Sequence, residues 1–167
     1  MSKLSPALLL PVACALTLAA CGSGEGEAGS IGGATNAGEE KAGEVSISSA
    51  PIKGLGSVLV DAQGRTLYMF PPDGDKQVTC VGSCAETWPP ASLSSGEKPI
   101  ATGAVKQSLL GSDPDPEGGR VITYAGWPLY TYAADVGPGS ARGQGLDVSG
   151  GLWYVISPSG DVIKTKP

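Results

Sequence analysis

Two cysteines separated by three residues, Cys80 and Cys84, have the most sharply defined chemistry in this sequence. Their sulfurs can form a bridge if Gly82, which lies between them, permits a tight turn. We therefore predict a structural disulfide, which stabilises a small domain by about 2 kcal/mol on chain-entropy grounds. Two alternatives stay open: a thiol redox pair, and a copper site in which Met69 would be the remaining soft ligand.

A second pattern, Tyr-x-aromatic-x-x-Asp, occurs twice with a constant offset between equivalent positions (130 − 68 = 135 − 73 = 62). Its members are Tyr68, Phe70 and Asp73 in the first copy and Tyr130, Tyr132 and Asp135 in the second. Because large aromatic side chains dominate the cores of small domains, we predict that these rings pack between the two copies. The alternative is an exposed platform, continued by Trp127, on which a sugar ring or a flat cofactor would stack.

The two aspartates of this motif are each followed closely by a glycine. Asp73 directly precedes Gly74, and Asp135 lies two residues before Gly137. We predict that each carboxylate closes a turn by accepting backbone N–H bonds. If the two copies face each other, the two carboxylates could instead converge on a cation.

Histidine is absent from all 167 residues of the sequence. Its absence excludes Ser-His-Asp and Cys-His nucleophile activation, histidine-ligated zinc and c-type haem. The sequence also has no recognisable flanking carboxylate pair and no phosphate-binding glycine loop between a strand and a helix. We therefore expect a protein that is not an enzyme and that needs no metal or cofactor.

The first twenty residues have the layout of an export signal. Lys3 provides a positive start, and a largely apolar run over 7–20 ends in small residues. This run is too short for a membrane-spanning helix, which needs roughly 20 apolar residues. The residues before Cys21, Leu-Ala-Ala, resemble the lipobox of bacterial lipoproteins. The resemblance implies a signal peptide over 1–20 and a diacylglycerol, with palmitate-type chains, on Cys21; the alternative is an ordinary secretory signal.

Composition divides the rest of the chain into a linker and one domain. Residues 21–50 are rich in Gly, Ala, Ser and Glu and lack aromatic residues, which predicts a disordered, flexible tether. Residues 51–167 have the size of one small domain. The formal charge of −5 argues against nucleic acid as a partner.

The predicted domain is all-β and mainly antiparallel, with at most one short helix near 82–88. Two consecutive prolines after Trp88 would end that helix. Glycines flanked by short apolar runs predict three hairpins. We place the repeat units at about 54–75 and 116–137 and the third hairpin at about 151–165. Strand alternation predicts that Tyr68 and Phe70 face away from Leu67 and Met69.

Several longer motifs accompany the repeated Tyr-x-aromatic-x-x-Asp pattern. They are Leu-Val-Asp-x-x-Gly-Arg-Thr-Leu-Tyr at 59–68, Cys-Ala-Glu-Thr-Trp-Pro-Pro at 84–90 and Tyr-Ala-Gly-Trp-Pro-Leu-Tyr at 124–130. Together, behind a lipobox, they resemble a family of bacterial lipoproteins with a secreted repeat. The resemblance implies a location at the extracytoplasmic face of the cell membrane and implies no reaction.

These observations lead to one functional expectation and one rival. We expect a membrane-anchored, non-catalytic module of the cell envelope that binds a cell-wall component or an envelope protein. An exposed aromatic patch around Trp127, Tyr130 and Tyr132 would support it. The rival is a redox or copper-handling lipoprotein that uses reduced, accessible Cys80 and Cys84.

Overall fold

The computed structural model describes residues 43–74 and 77–166. The predicted signal and Cys21 lie outside the described residues, as does the predicted linker up to residue 42. In the described part, no helix has both the length and the apolar character needed to cross a membrane.

Short strands dominate the described residues, together with one α-helix, which confirms the predicted fold class. The strands are β1 (Glu44–Ile52), β2 (Gly56–Asp61), β3 (Tyr68–Met69), β4 (Ser92–Leu93), β5 (Lys98–Ala101), β6 (Leu110–Pro114), β7 (Arg120–Tyr124), β8 (Trp127–Pro128), β9 (Asp147–Val148), β10 (Gly151–Leu152), β11 (Tyr154–Ile156) and β12 (Val162–Ile163). The helix, α1, spans Ser83–Thr87, inside the predicted interval, and 3₁₀ turns span Pro71–Asp73 and Gln107–Leu109.

The strands form small sheets that are antiparallel except for one pair. The orders are β2-β1-β5, β4-β7-β6 with β8 beside β7, β12-β11-β3, and the two-stranded β10-β9. Strand β1 runs antiparallel to β2 and parallel to β5. It begins at Glu44, so residues 44–50 belong to a sheet although we assigned them to the linker. Val45 and Ile47 alternate with polar residues there, and Ile47 is fully buried.

All three predicted hairpins are present, and the first and third share one turn geometry. The Gly64 N–H donates to the carbonyl of Asp61 at 2.9 Å, and the Asp61 N–H donates to the carbonyl of Arg65 at 3.0 Å. In the third hairpin, the Gly160 N–H donates to the carbonyl of Ser157 at 2.9 Å. The glycines have φ values of +76° and +97°, a left-handed conformation that favours glycine.

The second hairpin turns more tightly. Tyr124 pairs with Trp127, which leaves only Ala125 and Gly126 in the turn. Their φ values are +51° and +86°. Two consecutive positive values define the type I′ turn that suits the right-handed twist of a two-residue hairpin.

The predicted alternation of faces is confirmed by two separate hydrophobic clusters. Tyr68 and Phe70 belong to cluster 1, whereas Leu67 and Met69 belong to cluster 2. The buried members of cluster 1 are Ile52, Leu55, Val58, Val60, Tyr68, Phe70, Val78, Cys80, Trp88, Val121, Tyr130, Trp153 and Val155. Those of cluster 2 are Ile47, Leu59, Leu67, Met69, Leu93, Val105, Ile122, Tyr124, Leu129 and Ile156. The same division holds for Tyr130 in cluster 1 and its neighbour Leu129 in cluster 2. The central segments therefore bury both of their faces, which is why each reads as a nearly continuous apolar run.

Candidate functional site

The two motif copies meet through their first tyrosines, which pair as antiparallel backbone neighbours. The Tyr68 N–H donates to the Tyr130 carbonyl at 2.8 Å, and the Tyr130 N–H donates to the Tyr68 carbonyl at 2.9 Å. Such a reciprocal pair places an approximate twofold axis between the two residues. The duplication seen in the sequence is thus a duplication of structure.

Each tyrosine hydroxyl then reaches the aspartate of the other copy. Tyr68 donates to Oδ2 of Asp135 at 2.7 Å, and Tyr130 donates to Oδ2 of Asp73 at 2.6 Å. The other oxygen of each carboxylate closes a loop, as predicted. Oδ1 of Asp73 accepts the backbone N–H of Thr79 at 2.8 Å, and Oδ1 of Asp135 accepts that of Arg142 at 2.8 Å. The motif therefore links the copies and closes a turn in each.

These contacts hold both phenols in the protonated state. Burial, followed by the hydrogen bond to Asp135 and its negative charge, raises the pKa of Tyr68 well above its usual value. Burial and the corresponding bond to Asp73 raise the pKa of Tyr130 in the same way. Both side chains are fully buried, so ionisation would place a second negative charge beside a carboxylate inside the core.

Four aromatic rings stack in one column within cluster 1. The order is Tyr132, Trp88, Trp153 and Phe70, and the successive ring centroids lie 4.2, 3.9 and 4.2 Å apart. Trp88 and Trp153 are parallel within 2° and are fully buried. The column thus runs through the approximate twofold axis, with one tryptophan on each side.

The two cross-linking tyrosines pack edge-on against this column. The ring centroids of Tyr68 and Trp88 lie 5.4 Å apart with an interplanar angle of 78°, and those of Tyr130 and Trp153 lie 5.2 Å apart with an angle of 89°. Gly143 lies so close to the same rings that a Cβ there would sit 2.7 Å from Trp88 and 2.9 Å from Tyr68. The six-ring assembly of the column and the two edge-on tyrosines is called the aromatic column below.

The predicted disulfide between Cys80 and Cys84 is present and is tied to this column. The bridge spans the turn that leads into α1, and Gly82 occupies that turn with a φ of +59°. Cys80 is buried in cluster 1, and Trp88 is the C-cap residue that follows α1. The staple therefore fixes the segment that delivers Trp88 to the column.

Several alternatives from the sequence analysis do not match this geometry. Tyr68, Phe70 and Tyr130 are buried, so the motif forms the packed interior and not an exposed platform. Each motif aspartate accepts hydrogen bonds through both of its carboxylate oxygens, so these oxygens face protein donors. Met69 lies in cluster 2, on the opposite face of its strand from Cys80, and thus is not placed for a copper site with the cysteines.

A groove on the surface lies beside the first hairpin. It encloses about 230 Å³ between that hairpin, the start of β1 and the segment after Trp88. Its lining residues are Val45, Ile47, Asp61, Ala62, Gln63, Arg65, Pro89, Pro90, Ala91, Ser92, Ile122 and Thr131. Most of its walls are apolar, and its polar end is formed by Asp61, Gln63 and Arg65.

The arginine at this end is held in a fixed position. Its Nε donates to Oδ2 of Asp61 at 2.7 Å, while Oδ1 of Asp61 accepts the backbone N–H groups of Gln63 and Arg65 at 3.0 and 2.8 Å. Asp61 is 10% exposed at its side chain and Arg65 is 54% exposed. The pair thus orients a half-exposed guanidinium at the edge of the groove, and its Nη2 also donates to Oε1 of Gln63 at 3.5 Å.

Comparison with known proteins identifies the two copies. Residues 52–92 and 113–157 each match a family described as a secreted repeat of unknown function. The chain belongs to this secreted-repeat lipoprotein family, as the sequence motifs indicated, and its location is extracytoplasmic. The searches of curated proteins and of solved structures found no match.

The matched stretches are longer than the repeat units we predicted, and the difference includes both buried tryptophans. Trp88 and Trp153 each lie four residues before the end of their stretch (92 − 88 = 157 − 153 = 4). They are therefore equivalent residues, which explains their matching contacts. The structure supports this equivalence, because the residue two positions after each tryptophan pairs with a motif tyrosine: Pro90 with Tyr130, and Val155 with Tyr68.

The groove, in contrast, lies at the hairpin of the first copy, and the second copy contributes Ile122 and Thr131 to its lining. Arg65 corresponds to Trp127 at the constant offset (127 − 65 = 62). Pro89, which directly follows Trp88, corresponds to Tyr154, which directly follows Trp153. Trp127 and Tyr154 are partly buried and pack against cluster 2. Large rings thus occupy the positions at which the first copy has an arginine and a proline. Sequence reasoning missed Asp61 and Arg65 because it sought the site in the residues that the copies share.

Proposed function

We propose that this protein is a lipid-anchored, non-catalytic lipoprotein of the cell envelope whose groove at Arg65 binds a carboxylate-bearing component of the cell wall. The observation that carries the proposal is the oriented Asp61–Arg65 pair at the end of an apolar groove. With Nε bonded to Asp61 and one Nη2–H directed at Oε1 of Gln63 at 3.5 Å, the guanidinium keeps N–H donors on both Nη atoms for a carboxylate.

Two further features support a binding role for the groove. Pro89 and Pro90 form a wall that has no backbone N–H groups and little conformational freedom. Asp61 is bonded three times to the hairpin that presents Arg65, so little side-chain entropy is lost when a ligand binds. A small, mostly apolar concavity with few polar groups is typical of ligand sites.

The binding proposal is tested by cosedimentation of the soluble Cys21→Ala chain with purified, insoluble cell wall. We expect Arg65→Ala to lose most of the bound fraction and Arg65→Lys to retain a part, because lysine keeps the charge without the fork. Arg142→Ala is the matched control, since Arg142 is exposed and lines a different depression. Equal sedimentation of Arg65→Ala and wild type would refute the groove as the binding site.

The anchoring proposal is tested separately by growth with labelled palmitate. We expect Cys21→Ala to lose the label, because the thiol that would carry the acyl chains is missing. Cys14→Ala, which changes a cysteine inside the predicted signal, should keep the label. Equal labelling of Cys21→Ala and the wild type would contradict a lipid on this residue.

A further inference from the structure

The aromatic column brings together groups that are suited to one-electron chemistry, which a binding module does not require. Tyr132, Trp88 and Trp153 stack with centroids 4.2 and 3.9 Å apart. Indole and phenol side chains lose single electrons readily. Stacked rings at this separation allow the resulting electron hole to pass from one ring to the next. Tyr132 is partly exposed at one end of the column, whereas Phe70 is buried at the other.

The two tryptophans lack a proton acceptor, which would stabilise an oxidised indole. An oxidised indole is stabilised when its N–H loses a proton to a base. Nε1 of Trp88 is buried without a hydrogen-bond partner in the described structure, and Nε1 of Trp153 donates to the carbonyl of Val148 at 3.2 Å. Neither environment provides a proton acceptor, because a backbone carbonyl is a very weak base.

The two edge-on tyrosines have the opposite environment. Tyr68 and Tyr130 contact the tryptophans and donate to carboxylate oxygens at 2.7 and 2.6 Å. A phenol becomes a strong acid when it loses an electron, so its proton can move along the existing hydrogen bond to the aspartate. In the resting state the raised pKa keeps each phenol protonated.

We propose that the aromatic column is a one-electron redox site that takes up oxidising equivalents at Tyr132 and holds them as neutral radicals on Tyr68 or Tyr130. A one-electron oxidant, such as a small radical or an oxidised haem iron, removes one electron from the column. The tyrosine O–H bond breaks, the proton passes to Asp135 or Asp73, and a tyrosyl radical and a protonated carboxyl remain. One electron from an extracytoplasmic one-electron reductant, such as a thiol, and the return of that proton restore the pair.

This inference explains the orphaned N–H of Trp88 as well as the paired carboxylates. A buried donor without a partner destabilises a fold, and a purely structural column would gain from an acceptor at that position. In an electron-transfer chain, a proton acceptor at Nε1 would stabilise oxidised Trp88 and keep the electron hole on that ring. The proposal is independent of ligand binding in the groove, which involves none of these rings.

The test is oxidation of the full chain by photogenerated tris(bipyridine)ruthenium(III), followed by rapid freezing and electron paramagnetic resonance. We expect a tyrosyl radical in the wild type and loss of most of that signal, replaced by a tryptophanyl signal, in the double variant Tyr68→Phe and Tyr130→Phe. Tyr154→Phe is the matched control, because Tyr154 lies outside the aromatic column and packs on cluster 2. An undiminished tyrosyl signal in the double variant, or its loss in Tyr154→Phe, would overturn the proposal.

A second measurement needs no substitution, in case the double variant fails to fold. The wild-type radical, prepared in D₂O, should show hyperfine coupling to the deuteron that has moved to the aspartate. A radical on Tyr68 should show a second, weaker coupling to the backbone N–D of Gly143, which lies 3.3 Å from the phenol oxygen. A tyrosyl radical without such a deuteron would lie on another tyrosine, which would also overturn the proposal.

Discussion

The two copies of the repeat agree in their interior and differ at their surface. Both place a tyrosine against the tryptophan of their own copy, and both bond that tyrosine to the aspartate of the other. The first hairpin then makes a three-residue turn with a charged pair, whereas the second makes a two-residue turn with a tryptophan. The disulfide likewise occurs in the first copy.

This difference separates the residues that build the fold from those that distinguish one copy. A residue that performs the same task in both copies, such as Tyr68 or Tyr130, is needed wherever the unit is used. Arg65, in contrast, has a setting that the second copy does not reproduce, because its counterpart Trp127 packs against cluster 2. Divergence between the copies therefore locates the groove better than the repeated motif does.

The largest expected effect comes from removing one central ring of the column. Trp88→Ala and Trp153→Ala should each lower the free energy of unfolding by about 3–5 kcal/mol, because each deletes a fully buried indole. Urea denaturation of the soluble Cys21→Ala chain measures both. The comparison predicts similar losses for the two variants; a much smaller loss for one of them would show that the copies do not share the core equally.

Alkaline pH should weaken the fold through the two cross-linking tyrosines. In the unfolded chain these phenols ionise near pH 10, whereas their raised pKa keeps them protonated in the folded protein. Unfolding then releases protons, so above about pH 10 stability should fall by about 1.4 kcal/mol per pH unit for each tyrosine.

Denaturation at a series of pH values from 9 upward measures this slope. Tyr68→Phe and Tyr130→Phe should each flatten it by a similar amount, since their environments are alike. A variant slope identical to that of the wild type would contradict the assignment.

Loss of the disulfide should destabilise the fold through the first copy, which contains the bridge. Cys80→Ser with Cys84→Ser removes a short staple and should lower stability by about 2 kcal/mol. Denaturation in the presence and absence of a reductant provides the same comparison in the wild type. A thiol assay on the unreduced protein is the control, because two reactive thiols would contradict the bridge and revive the thiol hypothesis.

The smallest effect is the coupling between copies, measured by double-mutant cycles. Tyr68→Phe with Asp135→Ala, and Tyr130→Phe with Asp73→Ala, should each show a coupling energy of about 1–2 kcal/mol, since each pair shares a hydrogen bond to a charged group. The cycle of Tyr68→Phe with Asp73→Ala should give a value near zero. A coupling energy for Tyr68 with Asp73 that exceeds the one for Tyr68 with Asp135 would contradict the crossed hydrogen bonds between the copies.

Much of this architecture could be predicted from local sequence signals. Glycines at hairpin positions, the alternation of Leu67 to Phe70 and the Cys-x-x-x-Cys spacing each depend on residues that lie close together in the chain. Prediction was less successful where a weak local signal stood in a polar setting. Strand β1 was placed in the linker because Val45 and Ile47 are surrounded by serine and glutamate, and only pairing with β2 and β5 buries Ile47.

The sequence by itself determined that a unit is duplicated, which residues it repeats, and that the cysteines can bridge. It could not determine which aspartate each tyrosine contacts, because sequence separations of 57 and 67 leave that choice to long-range packing. The tertiary structure decided the crossed pairing, the four-ring stack and the groove at Arg65. Each of these depends on the approximate twofold contact between the copies, which buries the rings and brings the hydroxyls to the opposite carboxylates.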